Sequence, residues 1–199
     1  MSQLVIATRN NGKLREFRSL LSSTGWNILG LADLGITKEH EETGSTFAEN
    51  ARLKALAYSA ETEFPVLADD SGLEVSDLGG RPGIHSARYA GVAASDADRI
   101  RKLLSELRAK GGTRHARFIC ALAVARARRL LVQAQGECLG LIADEPRGKN
   151  GFGYDPIFYF PELKKTYAEL DESEKNLYSH RARAVASLLS SLTSDRAKE

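Results

Sequence analysis

The run QLVIAT, residues 3–8, is short, apolar and free of polar alternation, the pattern of a strand buried on both faces. A polar loop, RNNGK, follows it. Then Leu14, Phe17, Leu20 and Leu21 recur at helical spacing, with Arg15, Glu16 and Arg18 between them. WNILGL, from Trp26, reads as a second strand. Parallel strands need a crossover element, and a helix on the sheet face supplies it. This opening therefore sets the fold class as α/β.

The rest of the chain extends that frame. EETGSTFAENARLKALAYSA, from Glu41, reads as a loop and a helix, with Thr46 and Glu49 spaced as a capping box. FPVLADD is predicted as a strand and GLEVSDL as another. GGRPGIHSARYAG must be a loop or turn region. SDADRIRKLLSELRAK is an amphipathic helix with Ser95 as its N-cap. ARFICALAVARA and LLVQAQGECLGLIA pattern as two long antiparallel strands joined by a short basic turn. GKNGFGYDPIFYF is a Gly-rich loop running into an aromatic strand, and SEKNLYSHRARAVASLLSSL is a final helix starting near Ser173 or Glu174. Residues 194–199 are expected to be a frayed tail. The expectation is one domain over residues 1–199: a long central mixed sheet with helices forming two lobes around an active-site cleft.

Bulk properties exclude some function classes. The 199 residues carry 28 Lys plus Arg against 26 Asp plus Glu, so net charge is near zero and gives no bulk reason to expect nucleic-acid binding. No apolar segment approaches the length of a bilayer span, and the N-terminus has no basic region before its short apolar run. No membrane partner and a cytoplasmic location are expected. Cys120 and Cys138 lie in apolar, strand-like contexts without CxxC spacing and read as buried thiols.

Four stretches could carry chemistry, each with a plainer alternative. TRNNGK sits at the carboxyl end of the first strand, before a helix, where open α/β sheets bind ligands. Backbone N–H groups, Thr8, Asn10, Asn11 and Lys13 could cradle phosphates there, or the stretch is only a helix cap with a solvated lysine. Glu41 and Glu42 precede a helix, and Asp69 and Asp70 follow a strand. Carboxylates converging from two elements suit Mg²⁺; otherwise each pair is a solvated turn. GFGYDP offers Phe152 and Tyr154 for stacking on a base, or for ordinary strand-entry packing. Lys175, His180 and Arg181 offer donors to a 6-keto purine edge, or form a basic solvated face.

Taken as a set, TRNNGK, EETG with TFAENARLKA, ADDSGLEV, GGRPGIHSARYAG, GFGYDPIF and AELDESEKNLYSHRARA occur in one order over most of the chain. The set resembles the inosine-triphosphate pyrophosphatase family. The resemblance implies two α/β lobes around a long mixed sheet, a homodimer, and Mg²⁺-dependent hydrolysis of ITP, dITP and XTP between the α and β phosphates. It implies that Thr8, Arg9, Asn10, Asn11, Gly12 and Lys13 contact phosphate. Glu41 and Asp70 match metal ligands, and Asp70 also matches the proton acceptor for the attacking water. Ser71 matches a substrate contact, while Phe152, Gly153, Tyr154 and Asp155 match the base-binding loop. Lys175, His180 and Arg181 match the residues that hold the base. Lys54 is expected at a phosphate, and Asp69 as an indirect metal partner. His85, Lys149 and Asn150 depart from the family pattern. The competing readings are a pyrophosphatase of another base preference and a non-catalytic nucleotide-binding module.

Overall fold

The computed structural model describes residues 2–196. Among them the strands are β1 (Gln3–Ile6), β2 (Asn27–Gly30), β3 (Val66–Val75), β4 (His115–Arg126), β5 (Arg129–Ile142), β6 (Phe158–Phe160) and β7 (Lys165–Thr166). The α-helices are α1 (Asn11–Leu20), α2 (Phe47–Tyr58), α3 (Asp96–Lys110), α4 (Glu172–Tyr178) and α5 (His180–Arg196). Among the described residues the strands form one mixed sheet in the order β2-β1-β3-β4-β5-β6-β7. β1 is parallel to β2 and β3, as the opening strand-helix-strand pattern requires. β6 is antiparallel to both β5 and β7. The predicted hairpin is β4 and β5, turned by Ala127 and Arg128 with φ of 49° and 60°, the left-handed pair that matches strand twist.

The chain divides into two compact units, the first of residues 1–70, 120–136 and 181–199, the second of residues 71–119 and 137–180. The first has a core of Leu4, Ile6, Phe17, Leu21, Leu67, Cys120, Leu122, Ala184, Val185 and Leu188. The predicted apolar stripe of α1 is present, with Phe17 and Leu21 fully buried. The second unit packs Leu103, Leu104 and Leu107 of α3 with Leu73, Val75, Phe158, Phe160 and Tyr167. Both cysteines are buried thiols, as expected.

Three expectations change. FPVLADD and GLEVSDL are not two strands: β3 runs unbroken through Asp69, Asp70, Ser71 and Gly72. Asp, Ser and Gly favour turns locally, but β3 lies between β1 and β4 in the sheet, and β1 pairs with its first residues, Val66 and Leu67. The final helix is two helices, because Ser179 is extended at φ −67°, ψ 155° and ends α4. The start of α4 at Glu172 lies next to the expected Ser173, and Asp171 caps it through its side chain to the Glu174 N–H at 2.8 Å. The capping box at α2 is half made: Thr46 accepts the Glu49 N–H, but the Glu49 carboxylate turns to the Ser45 N–H and hydroxyl. By contrast, Ser95 and Asp98 form a complete box at α3. The backbone of α5 extends to Arg196, and the rest of the expected tail, 197–199, lies outside the described residues.

Of the three departures, His85 is exposed on the loop 79–91. Lys149 and Asn150 both donate backbone N–H groups to the Ala168 carbonyl, and the Asn150 amide reaches the Leu170 carbonyl at 2.9 Å. That tie begins at Gly148, whose φ is +84° and where a Cβ would run into the Ala168 backbone.

Candidate active site

The adjacent aspartates do not meet. Successive side chains of a strand point to opposite faces, so Asp69 and Asp70 enter different environments. Asp69 is 1% exposed and pairs with Lys13 Nζ at 2.9 Å, with the Arg181 guanidinium at 3.9 Å. Burial alone would raise its pKa, but Lys13, Arg181 and Lys54 outweigh burial and bring it down to about 2. Asp70 is raised to about 6, first by burial and then by the charge of Glu42, against the pull of Lys54, Lys13 and the Asn50 amide. One carboxylate is thus held ionised while its neighbour titrates close to neutrality, the separation that divides fixed charge from proton acceptor.

The elements around them explain the placement. Thr8 Oγ1 accepts the Asn10 N–H, and Asn10 Oδ1 caps α1 by accepting the Lys13 N–H at 3.1 Å. The cap fixes the first turn and sends Lys13 to Asp69. Asn11 and Gly12 open the helix, while Arg9 turns to the Thr37 carbonyl and Glu39. On α2, Asn50 is 1% exposed and joins two segments. Its Oδ1 accepts the Gly44 N–H at 2.7 Å, and its Nδ2 donates to Asp70 Oδ2 at 3.0 Å. Lys54, one helical turn on, pairs with Glu42 and donates to the Asp69 carbonyl at 3.0 Å. Burial lowers the Lys54 pKa, yet Asp69 and Glu42 outweigh it and the net direction is up, so Lys54 stays charged. Glu41 is exposed; Glu42 is the carboxylate whose charge reaches Asp70.

Arg181 belongs with this group. It is 2% exposed, lies 5.7 Å over the Phe17 ring and pairs with Glu16 as well as Asp69. Burial lowers its pKa, but Glu16 and Asp69 more than compensate and hold the guanidinium charged.

The second unit gathers the predicted base residues Phe152, Asp155 and Lys175. Asp155 is 3% exposed, and its Oδ2 accepts the Phe152 N–H at 2.9 Å and Lys175 Nζ at 2.6 Å. Gly151 has φ +74°, and a Cβ there would collide with the Asp155 carboxylate. Lys175 Nζ lies 5.2 Å from the Phe152 ring centroid, in cation–π range. His180 is buried and stacks on Phe118, centroids 4.6 Å apart at 13°. Tyr154 is buried and donates its hydroxyl to the Ser86 carbonyl at 3.0 Å, which leaves half-buried Phe152 as the loop ring with an accessible face. Ser71 is half-buried on β3.

The chain as a whole is similar to known proteins. A family model described as Ham1 family matches residues 4–191. The chain belongs to the Ham1 family. It is 54% identical over 189 residues to a dITP/XTP pyrophosphatase of Geobacillus kaustophilus, covering 94% of this chain and 93% of the relative. A dITP/XTP pyrophosphatase of Gloeobacter violaceus is 53% identical, with 96% and 94% covered. The structure of a HAM1 protein from Coxiella burnetii superposes with a TM-score of 0.87 at 44% identity, covering 98% of this chain and all of that one. A nucleoside-triphosphatase / dITP/XTP pyrophosphatase from Mycobacterium abscessus gives a TM-score of 0.74 at 40% identity, with 94% and 98% covered. The resemblance read from the motifs is thereby borne out, as is the α/β fold.

Sequence reasoning about this Ham1 chain missed Asn50 and Glu16. Asn50 had a signal: it shares the buried face of α2 with Phe47 and Ala51, where an unpartnered amide would be costly. Glu16 had none, because its partner Arg181 lies far along the chain.

Proposed function

We propose that this chain hydrolyses the non-canonical purine triphosphates ITP, dITP and XTP between the α and β phosphates, releasing monophosphate and pyrophosphate and clearing deaminated purines from the nucleotide pool. The names of its relatives support the substrate class. The observation that carries the reaction type is the splitting of Asp69 and Asp70, with Asp70 near 6 and the half-buried Lys13 and Lys54 among its charged neighbours. A carboxyl in that range is ionised at neutral pH yet basic enough to take a proton from an attacking water. Lys13, Lys54 and the N–H groups opening α1 hold phosphate oxygens.

Magnesium is the proposed metal. Among the described residues no three His, Cys, Asp or Glu side chains converge on a metal position. Asp70 with one glutamate suits Mg²⁺, which takes one or two carboxylates and completes its shell with phosphate oxygens and water. When bound it supplies charge neutralisation on the phosphates. The resemblance assigns the glutamate as Glu41; the charge that reaches Asp70 is that of Glu42. Comparing Glu41→Gln with Glu42→Gln for Mg²⁺ dependence decides between them.

Phe152 is proposed to stack on the base, with Lys175 and His180 as donors toward a 6-keto group. Adenine would face a donor with a donor, and two such mismatches cost on the order of a hundredfold in selectivity. Arg181 contributes by fixing Asp69 as an anion. The proposal includes a homodimer in the cytoplasm, without nucleic-acid or membrane partners. No helix among the described residues is long and apolar enough to cross a membrane.

The test is pyrophosphate release from ITP, XTP, GTP and ATP, with Mg²⁺ or chelator, for wild type and Asp70→Asn. Release from ITP and XTP that requires both Mg²⁺ and Asp70 is expected. Tight ITP binding without release from any substrate would make the chain a sensor and overturn the reading.

A further inference from the structure

The loop that carries Phe152 is tied to helix α3 by a side chain with no role assigned so far. Asp96 is the first residue of α3, and its Oδ2 accepts the Gly153 N–H at 2.7 Å. Its other oxygen takes the Arg99 guanidinium. Arg99 is itself fixed, donating to the Ala87 carbonyl at 2.8 Å and the Ala94 carbonyl at 2.7 Å. The carboxylate is therefore held in one orientation before it meets the loop. The next residue of the loop is tied too, through the Tyr154 hydroxyl to the Ser86 carbonyl, next to Ala87.

Packing against α3 is incomplete here: a cavity of about 550 Å³ is lined by Ala97, Ile100 and Leu104 of α3 and by Gly151, Phe152 and Gly153 of the loop. Atoms that face such a space lack neighbours to hold them. Backbone sterics do not set the loop either, since Phe152 stands between Gly151 at φ +74° and Gly153 at φ +64°. Glycines on both sides leave the direction of the ring to the hydrogen bonds that fix the N–H groups of Phe152 and Gly153. Two carboxylates hold these groups: Asp155 takes the Phe152 N–H from one side, and Asp96 takes the Gly153 N–H from the other.

We propose that Asp96 is a positioning residue for base recognition: by holding the Gly153 N–H it aims the Phe152 ring at the purine. This rests on the reading of Phe152 as the base-stacking residue. Asp96 touches no substrate, so its loss is expected in binding of the base and not in the chemical step.

The experiment compares Asp96→Ala, Asp96→Asn and Phe152→Ala. Readouts are KM and kcat for ITP, and the inhibition constant of inorganic tripolyphosphate, which has a phosphate chain and no base. Loss of a hydrogen bond to a charged acceptor should raise the ITP KM of Asp96→Ala about tenfold or more, with kcat within about twofold. Tripolyphosphate inhibition should not change. Asp96→Asn keeps an acceptor for Gly153 and should recover most of the KM. Should the alanine variant not fold, Asp96→Ser, whose hydroxyl suits the helix start but is too short to reach the loop, takes its place. An unchanged KM for Asp96→Ala while Phe152→Ala raises it overturns the role of Asp96 and leaves the base-loop reading standing. An equal rise for alanine and asparagine, or weakened tripolyphosphate inhibition, also overturns it. An unchanged KM for Phe152→Ala removes the base-loop reading, and the proposal with it.

Discussion

Replacing Asp70 with asparagine should make the metal-free protein more stable at pH 8 while abolishing turnover. Asp70 is buried, and its pKa rises from 3.8 to about 6 in the fold. The direction follows from linkage: a carboxyl with a raised folded pKa favours the fold when protonated, and that benefit is lost as pH rises through the folded value. At pH 8 the ionised group therefore costs about 2–3 kcal/mol, at 1.36 kcal/mol per pKa unit. Asparagine is neutral at every pH and still offers an oxygen to the Asn50 amide, which donates to Asp70 at 3.0 Å. For a chain of this length the gain corresponds to a Tm increase of about 5–10 °C. The assay is thermal unfolding of both proteins in chelator from pH 4 to pH 8. The two melting curves should converge near pH 4 and below, separate as pH rises from about 4 to 6, between the unfolded and folded pKa values, and run parallel above that. A variant that is equally stable or less stable at pH 8 would refute the idea that burial and Glu42 strain an ionised Asp70.

Further outcomes follow from the same groups. Mg²⁺ added at pH 7.5 should raise the Tm of wild type and leave that of Asp70→Asn nearly unchanged, as read by calorimetry. Asp69→Asn should destabilise by about 3–5 kcal/mol at pH 7, because Lys13 and Arg181 then lose a buried counter-charge. Asp69 has a folded pKa lowered to about 2, so its contribution is present above pH 3.8 and fades as pH falls toward 2; urea titrations at pH 7 and pH 3 should show the variant's deficit shrinking. Gly148→Ala should lower stability and loosen the 148–151 segment, seen as faster amide exchange at Lys149 and Asn150, since the methyl group meets the Ala168 backbone.

Much of the fold could be read from local pattern. The opening strand-helix-strand unit, the Ser95-capped α3 and the β4–β5 hairpin all follow from periodicity and caps that act over a few residues. The failures lie where distant partners override local preference. Asp69 to Gly72 look like a turn by composition but form the middle of β3, a strand that lies between β1 and β4 in the sheet. Ser179 ends a helix without glycine or proline, so nothing in its composition marks the break. The site shows the same division. Motif order singled out Lys13, Asp70, Phe152 and Lys175 as candidates, but not the partners that the fold gives them. His180 and Arg181 are neighbours in sequence, yet His180 packs with the second unit's Phe118 and Arg181 with the first unit's Glu16 and Asp69. No spacing rule distinguishes a guanidinium aimed at a base from one aimed at a carboxylate.

Because Asp69 and Asp70 face opposite sides of β3, the strand carries a check on its own alignment. A slip of one residue would turn every side chain of the strand to the other face. It would carry Asp70 toward Lys13 and Arg181 and send Asp69 to the Asn50 side, exchanging the two charge environments. Leu67, fully buried in the first unit's core, would leave it in the same movement. Apolar residues alone would punish such a slip through exposed surface; here the lysine–arginine pair on one side and the amide on the other punish it again through mismatched charge. Insertions or deletions within residues 66–75 should therefore be far less tolerated than in the exposed turn at Ala127 and Arg128, even where they preserve the apolar content of the strand.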